Sequence, residues 1–162
     1  MSSDPQDTLT LTLKTGDVGI VLRPDVAPLH VARIKELTRQ GFYDGVAFHR
    51  VIPGFMAQTG DPTGTGSGGS KLANLKAEFS AEPHRRGTLS MARTADPNSA
   101  NSQFFICLAD ALWLDRQYTV FGRVIAGMEH VDAIKKGAER GDGAIVGEPD
   151  RIVKMRVGEE RA

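Results

Sequence analysis

Cysteine is nearly missing from this chain. Cys107 is the one cysteine in 162 residues, so no intramolecular disulfide can form and a reducing cytosol is the expected compartment. Cysteine-based metal sites fall away with it. The four histidines, His30, His49, His84 and His130, lack the close spacing of a ligand set. Charge of one sign is lacking too. Lys+Arg and Asp+Glu both number 20, and no net field draws the protein to nucleic acid or to an anionic membrane. No apolar run reaches the roughly 20 residues of a transmembrane helix. The N-terminus, MSSDPQDT, has neither a basic n-region nor an apolar h-region, so it does not read as a signal peptide.

The dominant positive signal is period two. In TLTLTLK, Leu9, Leu11 and Leu13 share one face, with Thr8, Thr10 and Thr12 on the other, which predicts a half-buried strand. TGD then reads as a turn and VGIVL as a second strand, the pair forming a hairpin. A helix is expected from about Pro28 to Gln40, with Val31, Ile34, Leu37 and Leu29 inward and Gly41 as its stop. Strands are expected at Phe48–Val51, Phe55–Thr59, Thr88–Ala92, Gln103–Cys107, Thr119–Val124 and Ile152–Val157, and a second helix at about Met128–Gly137. Eight strands and two well-separated helices predict a closed eight-stranded antiparallel β-barrel capped by two α-helices. Residues 1–162 read as a single domain with flexible ends at 1–7 and 159–162; the Gly/Ser stretch 64–70 and KKGAERGDGAIVGEPD read as internal loops.

The stretch FHRVIPGFMAQTGDPTGTGSGG sets an arginine inside an apolar run and then turns glycine-rich. GTGSGGSK nearly matches a phosphate-cradling loop, but Ser70–Lys71 reverses the required order and no good helix follows for its N-terminus to face the phosphates. Glycine has another use there, since it lets a bound chain lie close against the backbone. Arg50 either pairs with a carboxylate at a strand end or serves a site. Alternation puts Phe48 and Arg50 on one face, and Met56 and Gln58 together on the next strand, an apolar patch with one guanidinium and one amide. A second such patch lies in SMARTADPNSANSQFFICLADALWLD, where Gln103 and Phe105 point the same way and Trp113 sits beside Leu114. A single tryptophan is commonly a core anchor, yet the flanking Asp110 and Asp115 suggest a loop tip with its ring partly exposed.

The blocks FHRVIPGFMAQTGD, GTLSMART, NSQFFICLAD and WLD…TVFGRV resemble the cyclophilins, peptidyl-prolyl cis/trans isomerases that also bind cyclosporin. The resemblance runs in order from about Leu9 to Val157. It implies a barrel with two capping helices, no metal and no cofactor, and proline-containing peptides and unfolded chains as partners of a cytoplasmic monomer. By position, the family's catalytic arginine falls on Arg50. The proline pocket would comprise Phe55, Met56, Phe105 and Leu114, with Gln58 and Gln103 as hydrogen-bonding groups. Ala92, Arg93 and Thr94 would form the edge along which the peptide lies, Gly66 would sit at a neighbouring pocket, and Trp113 matches the tryptophan linked with cyclosporin. Arg93 stands where eukaryotic cytosolic members often carry asparagine, and Tyr118 where they carry histidine; both look like the bacterial branch, as does the compact GDPTGTGSGG loop.

The residue types suit that chemistry. An X–Pro bond turns slowly because amide resonance imposes a barrier of about 18–20 kcal/mol. Twisting removes the resonance and leaves a pyramidal proline nitrogen able to accept a hydrogen bond, so a fixed guanidinium binds the twisted state better than either planar one. Two rivals stand beside this reading. A non-catalytic proline-binding module would keep the pocket and lose the arginine. A hydrolase built on Ser90 or Ser99 would lack both a GxSxG elbow and an evident histidine partner.

Overall fold

The computed structural model describes residues 5–137 and 143–158. Residues 1–4 and 159–162 of the expected flexible ends, and 138–142 of the expected loop before the last strand, lie outside the described residues. Pro5–Asp7 forms a short 3-10 turn whose Asp7 carboxylate accepts a 2.9 Å hydrogen bond from Lys35 Nζ.

Among the described residues eight strands follow in chain order: β1 Thr8–Leu13, β2 Gly16–Leu22, β3 Arg50–Ile52, β4 Met56–Thr59, β5 Thr88–Met91, β6 Phe104–Cys107, β7 Val120–Ala126 and β8 Lys154–Val157. They make one antiparallel sheet in the order β3-β4-β6-β5-β7-β2-β1-β8. Alternation decides which side chains it buries. Leu9, Leu11 and Leu13 of β1 and Val18 and Ile20 of β2 turn into one core with Phe104, Phe121 and Met155. Bulges between Gly19 and Ile20 and between Leu89 and Ser90 interrupt the register, and such irregularities increase strand twist and help a sheet curl.

Two helices pack on the curled sheet, α1 (Pro28–Arg39) against β8 and α2 (Met128–Asp132) against β2. Pro28 suits the first turn of α1, where its missing N–H would have no helical partner. Ala27 offers no cap, and the Glu78 carboxylate accepts from the backbone N–H of Leu29 and His30 at 3.2 and 2.9 Å instead. Val31, Ile34 and Leu37 are buried as expected, but Leu29 is 52% exposed. It lies in the first turn, beside the capping carboxylate rather than over the core. The second helix is shorter than the expected Met128–Gly137. The N–H of Lys135 donates to Asp150 Oδ2 at 2.7 Å and that of Gly137 to Val51 O at 2.8 Å, so these amides serve the sheet side instead of extending the helix.

The expected closed barrel is corrected to an open half-barrel. β3 and β8 end the sheet and form no ladder with each other among the described residues. Among the described residues, the segment before β8 runs between them and pairs with the β3 side at the isolated bridges Ala47↔Arg151 and Arg50↔Ala144. Its own residues prevent a continuous ladder: Gly143 and Gly147 adopt φ of 82° and 81°, and Pro149 has no N–H to give. The expected pairing of Phe48 and Arg50 on one face also fails. Phe48 joins the main core with Val51, because its N–H is drawn to Asp150 O (2.8 Å) before the β3 alternation begins at Arg50.

Candidate active site

β3 and β4 are joined by Ile52-Pro53-Gly54-Phe55. Proline at the second position, Gly54 at φ 72° and the 3.0 Å bond from Phe55 N–H to Ile52 O make a tight turn of type II character. The register it sets puts Arg50 opposite Gln58 and Ile52 opposite Met56; β4 in turn puts Gln58 opposite Phe105 on β6. One outward face of three strands thereby carries a guanidinium, an amide and a row of apolar side chains.

The apolar part is a second hydrophobic cluster, separate from the main core. Met56, Phe105, Cys107, Ala111 and Leu114 are buried in it, with Ile52, Phe55, Ala92 and Tyr118 packed against them. The Phe105 ring meets Tyr118 edge-on, centroids 5.9 Å apart at 82°. Leu114 comes from a 3-10 turn, Leu112–Leu114, which also carries Trp113. Trp113 is 64% exposed with its ring 5.5 Å from that of Phe55. It is a loop-tip residue and not a core anchor.

The polar part is a directed chain. Gln103 Nε2 donates to two carbonyls, Gly66 O at 3.0 Å and Gly68 O at 2.9 Å. Its Oε1 therefore turns to Gln58 Nε2 (2.9 Å), and Gln58 Oε1 faces Arg50 Nη1 (3.2 Å). Each amide is oriented by its neighbour, so the guanidinium meets an acceptor and not another donor. The chain starts at the glycine loop, which is wrapped around the buried Asp61. That carboxylate accepts from the N–H of Thr63 (2.8 Å), Thr65 (3.1 Å) and Gly66 (2.6 Å) and from the Thr63 hydroxyl (2.7 Å). Burial works to raise its pKa, but the hydrogen bonds of Thr63, Gly68 and Gly66 outweigh it and hold the group well below the usual range. The glycine loop is built around a protein carboxylate, with no sign of a phosphate cradle.

Beside the apolar cluster lies a cavity of about 480 Å³ lined by Gln58, Gly66, Ala92, Arg93, Thr94 and Gln103 together with Ser99 and Asn101. Arg93 does not reach into open solvent. Its Nε and Nη2 donate to Gln117 O at 3.0 and 2.7 Å, Nη1 donates to Thr94 O at 2.9 Å, and its guanidinium lies 4.5 Å over the Tyr118 ring. Ala92 N–H donates to Gln103 O at 3.0 Å, tying that edge to β6.

Arg50, Phe55, Met56, Gln58, Gly66, Ala92, Arg93, Thr94, Gln103, Phe105, Trp113, Leu114 and Tyr118 thus border the cluster, the amide chain or the cavity, whereas Phe48 does not. Sequence reasoning missed Ile52, Cys107 and Ala111 in the cluster and Asn101 in the cavity. It also missed that Ser90 has a histidine partner, His84 Nε2 at 2.9 Å. The Ser90 hydroxyl is fully buried, which removes it as a nucleophile on other grounds. Cys107 is inert for a related reason: burial first, then Asp110 and Asp115, push its thiol up to about 12. His49, next to Arg50, is held below its ordinary value chiefly by burial, with Arg50 acting in the same direction and Asp61 against it.

A curled eight-stranded sheet with an outward arginine, two amides and an apolar pocket is the architecture of a known enzyme class. Residues 8–157 match the family described as cyclophilin type peptidyl-prolyl cis-trans isomerase/CLD, and the chain belongs to that family. Its relatives agree. A "Probable peptidyl-prolyl cis-trans isomerase" of Brucella suis is 55% identical over 96% of this chain and 85% of its own. A "Peptidyl-prolyl cis-trans isomerase-like 1" of Gibberella zeae is 43% identical over 94% and 97%. Among solved structures, a cyclophilin from Hirschia baltica superposes with a TM-score of 0.87 at 29% identity, covering 100% of this chain and 77% of that one. A cyclophilin-type isomerase of Cryptosporidium parvum, solved in the presence of the dipeptide Ala-Pro, gives 0.84 at 29% identity over 93% and 98%. The protein is a bacterial cyclophilin-type peptidyl-prolyl cis-trans isomerase.

Proposed function

We propose that Arg50 is the catalytic residue, donating to the proline nitrogen as the X–Pro bond twists, with Gln58 and Phe55 completing the reacting set. The proline ring enters the cluster of Phe55, Met56, Phe105 and Leu114. The preceding residues of the peptide run along Ala92, Arg93 and Thr94 past Gln103 and Gly66, with Trp113 and Tyr118 at the far wall. The observation that carries this reading is the directed chain Gly66–Gln103–Gln58–Arg50 along the edge of the apolar cluster. It supports a permanently charged planar donor held beside the pocket, and the reading requires no group that titrates.

Magnitudes assign the other residues their share. A turnover of roughly 10–1,000 per second against about 0.01 per second uncatalysed requires about 4–7 kcal/mol. A charge-assisted hydrogen bond contributes about 1.5–3 kcal/mol. The remainder comes from excluding water and holding the backbone on one side of the bond while the other side turns. The apolar wall and the 92–94 edge do that work.

In this reading the clients are proline-containing peptides and unfolded chains, and the role is to speed protein folding in the cytoplasm. Cyclosporin, an apolar cyclic peptide, fits the same surface. The protein acts as a monomer, in keeping with exposed apolar residues scattered over separate elements, such as Leu29, Phe79, Ile125 and Val153. A chromogenic X–Pro peptide assay tests the reading: acceleration of the cis-to-trans phase is expected. Peptide binding without acceleration would make the chain a proline-binding module.

A further inference from the structure

Behind the pocket floor lies a group that the reaction does not use. His84 and Ser90 are both fully buried. His84 Nδ1 is 3.0 Å from Asp115 Oδ1, and His84 Nε2 is 2.9 Å from Ser90 Oγ. The order carboxylate–imidazole–hydroxyl is that of a nucleophilic triad. Here the hydroxyl has no route to a substrate, and its proton has two acceptors in reach, His84 Nε2 and Thr119 O at 3.1 Å. The arrangement therefore serves something other than nucleophilic attack.

What it touches says what that is. The imidazole lies nearly parallel to the Phe105 ring, centroids 6.2 Å apart at 18°, and edge-on to Tyr118 at 6.5 Å and 80°. Ser90 is the cross-strand partner of Phe105. Asp115 follows the 3-10 turn that carries Trp113 and Leu114. Two further bonds bind His84 to that turn: its own N–H donates to Asp115 Oδ1 at 2.7 Å, and its carbonyl accepts from Ala111 N–H at 2.8 Å. A carboxylate only accepts, so Nδ1 carries the proton, and Nε2 lies against the Ser90 hydroxyl as one of the two acceptors in reach of its proton. Both nitrogens are then held, and the ring cannot rotate about its Cβ–Cγ bond without breaking one of them. A phenylalanine would fill the same slot with nothing to fix its plane.

We propose that His84 is a positioning residue for isomerisation, fixing the plane of Phe105 and the distance of the Leu112–Leu114 turn from it. The inference rests on the proline-pocket reading given above. Its effect divides unequally between binding and turnover. Apolar burial of a proline ring is non-directional and tolerates a tilted floor. The hydrogen bond from Arg50 to the twisting nitrogen is directional and does not. A loosened floor therefore costs kcat more than KM, whereas a residue that only supports the fold would lower the melting temperature and leave both unchanged in the folded protein.

The test is a double-mutant cycle of His84→Phe and Phe105→Leu, read as kcat and KM with proline peptides and checked by thermal melting. For folded His84→Phe the expected result is a kcat lower by about tenfold with KM within about twofold. Added to Phe105→Leu, the same change should cost less than about twofold, since the ring it positions is gone. An equal loss in both backgrounds, or no loss in the native background, overturns the role of His84 while the pocket reading stands. A wild type without isomerase activity overturns the pocket reading and this inference with it. Should His84→Phe fail to fold, Ser90→Ala frees one nitrogen and keeps the ring. A kcat loss of about threefold that disappears in Phe105→Leu is then expected, and a loss equal in both backgrounds, or none, overturns the proposal.

Discussion

Trp113 and Arg50 have different surroundings, and these give them different work. Arg50 faces the Gln58 amide at 3.2 Å, at the end of a chain of side chains each oriented by the next. Trp113 has its carbonyl bonded by Gln117 Nε2 (3.0 Å), one ring face against Phe55 and most of its surface open. An exposed indole beside an apolar floor can offer a large ligand both a flat surface and an N–H donor. Because it is the only tryptophan, its emission reports that position alone. Cyclosporin is expected to shift the emission on binding, and Trp113→Phe to weaken affinity by roughly 1–3 kcal/mol through the lost donor. A titration that leaves both emission and isomerase activity unchanged would take Trp113 out of the ligand surface.

At the level of elements, strand faces were readable and chain crossings were not. Leu9, Leu11 and Leu13 alternate with threonines, and burial of one sheet face follows directly. Gln103 and Phe105 were placed on one side by the same count of two. Phe48 was misplaced because its partner is Asp150, about a hundred residues on, and no local period records such a pairing. Open closure between β3 and β8, the shortened α2 and the 3-10 turn at Leu112–Leu114 have the same origin, as do the His84 contacts. The glycine loop shows it most plainly. Its sequence reads as a surface loop that only nearly matches a phosphate cradle, while its shape comes from Asp61 at its own start. Asp61→Ala should release the backbone N–H donors of Thr63, Thr65 and Gly66, among others, and lower stability by at least about 2 kcal/mol. It should also reduce kcat/KM, since Gly66 O would no longer be fixed for Gln103. Urea melts and the peptide assay measure the two effects, and loss of stability with unaltered kcat/KM would detach the loop from the amide chain.

Over the whole molecule, the buried histidines make stability depend on pH. His30, His49 and His84 are held below their ordinary values, in each case by burial first, with Glu78, Asp61 and Asp115 opposing it. The unfolded chain therefore takes up protons on these histidines before the folded one does. Stability is full above their unfolded value near pH 6.5 and falls as pH drops toward the depressed folded values. Asp61 and Asp132 are also lowered, Asp61 against its burial and Asp132 chiefly by its bond from Arg86, so a second loss follows below about pH 4. Urea midpoints should stay level between about pH 7 and 9 and decline in those two stages; a midpoint rising from pH 7 to 5 would contradict the sign. Family and activity were legible because the blocks that carry them are contiguous. Positioning of those blocks was not, because it depends on contacts made only when the sheet curls.

The central claim is that a planar guanidinium, fixed by a directed amide chain, binds the twisted X–Pro bond better than the planar one. The measurement that tests it most directly is kcat/KM of Arg50→Lys beside Arg50→Ala, each confirmed as folded. A lysine keeps the charge and loses the fixed fork, so the account predicts that both variants lose most of the activity. A lysine variant within about threefold of wild type, about 0.6 kcal/mol, would show that charge alone suffices and would contradict it.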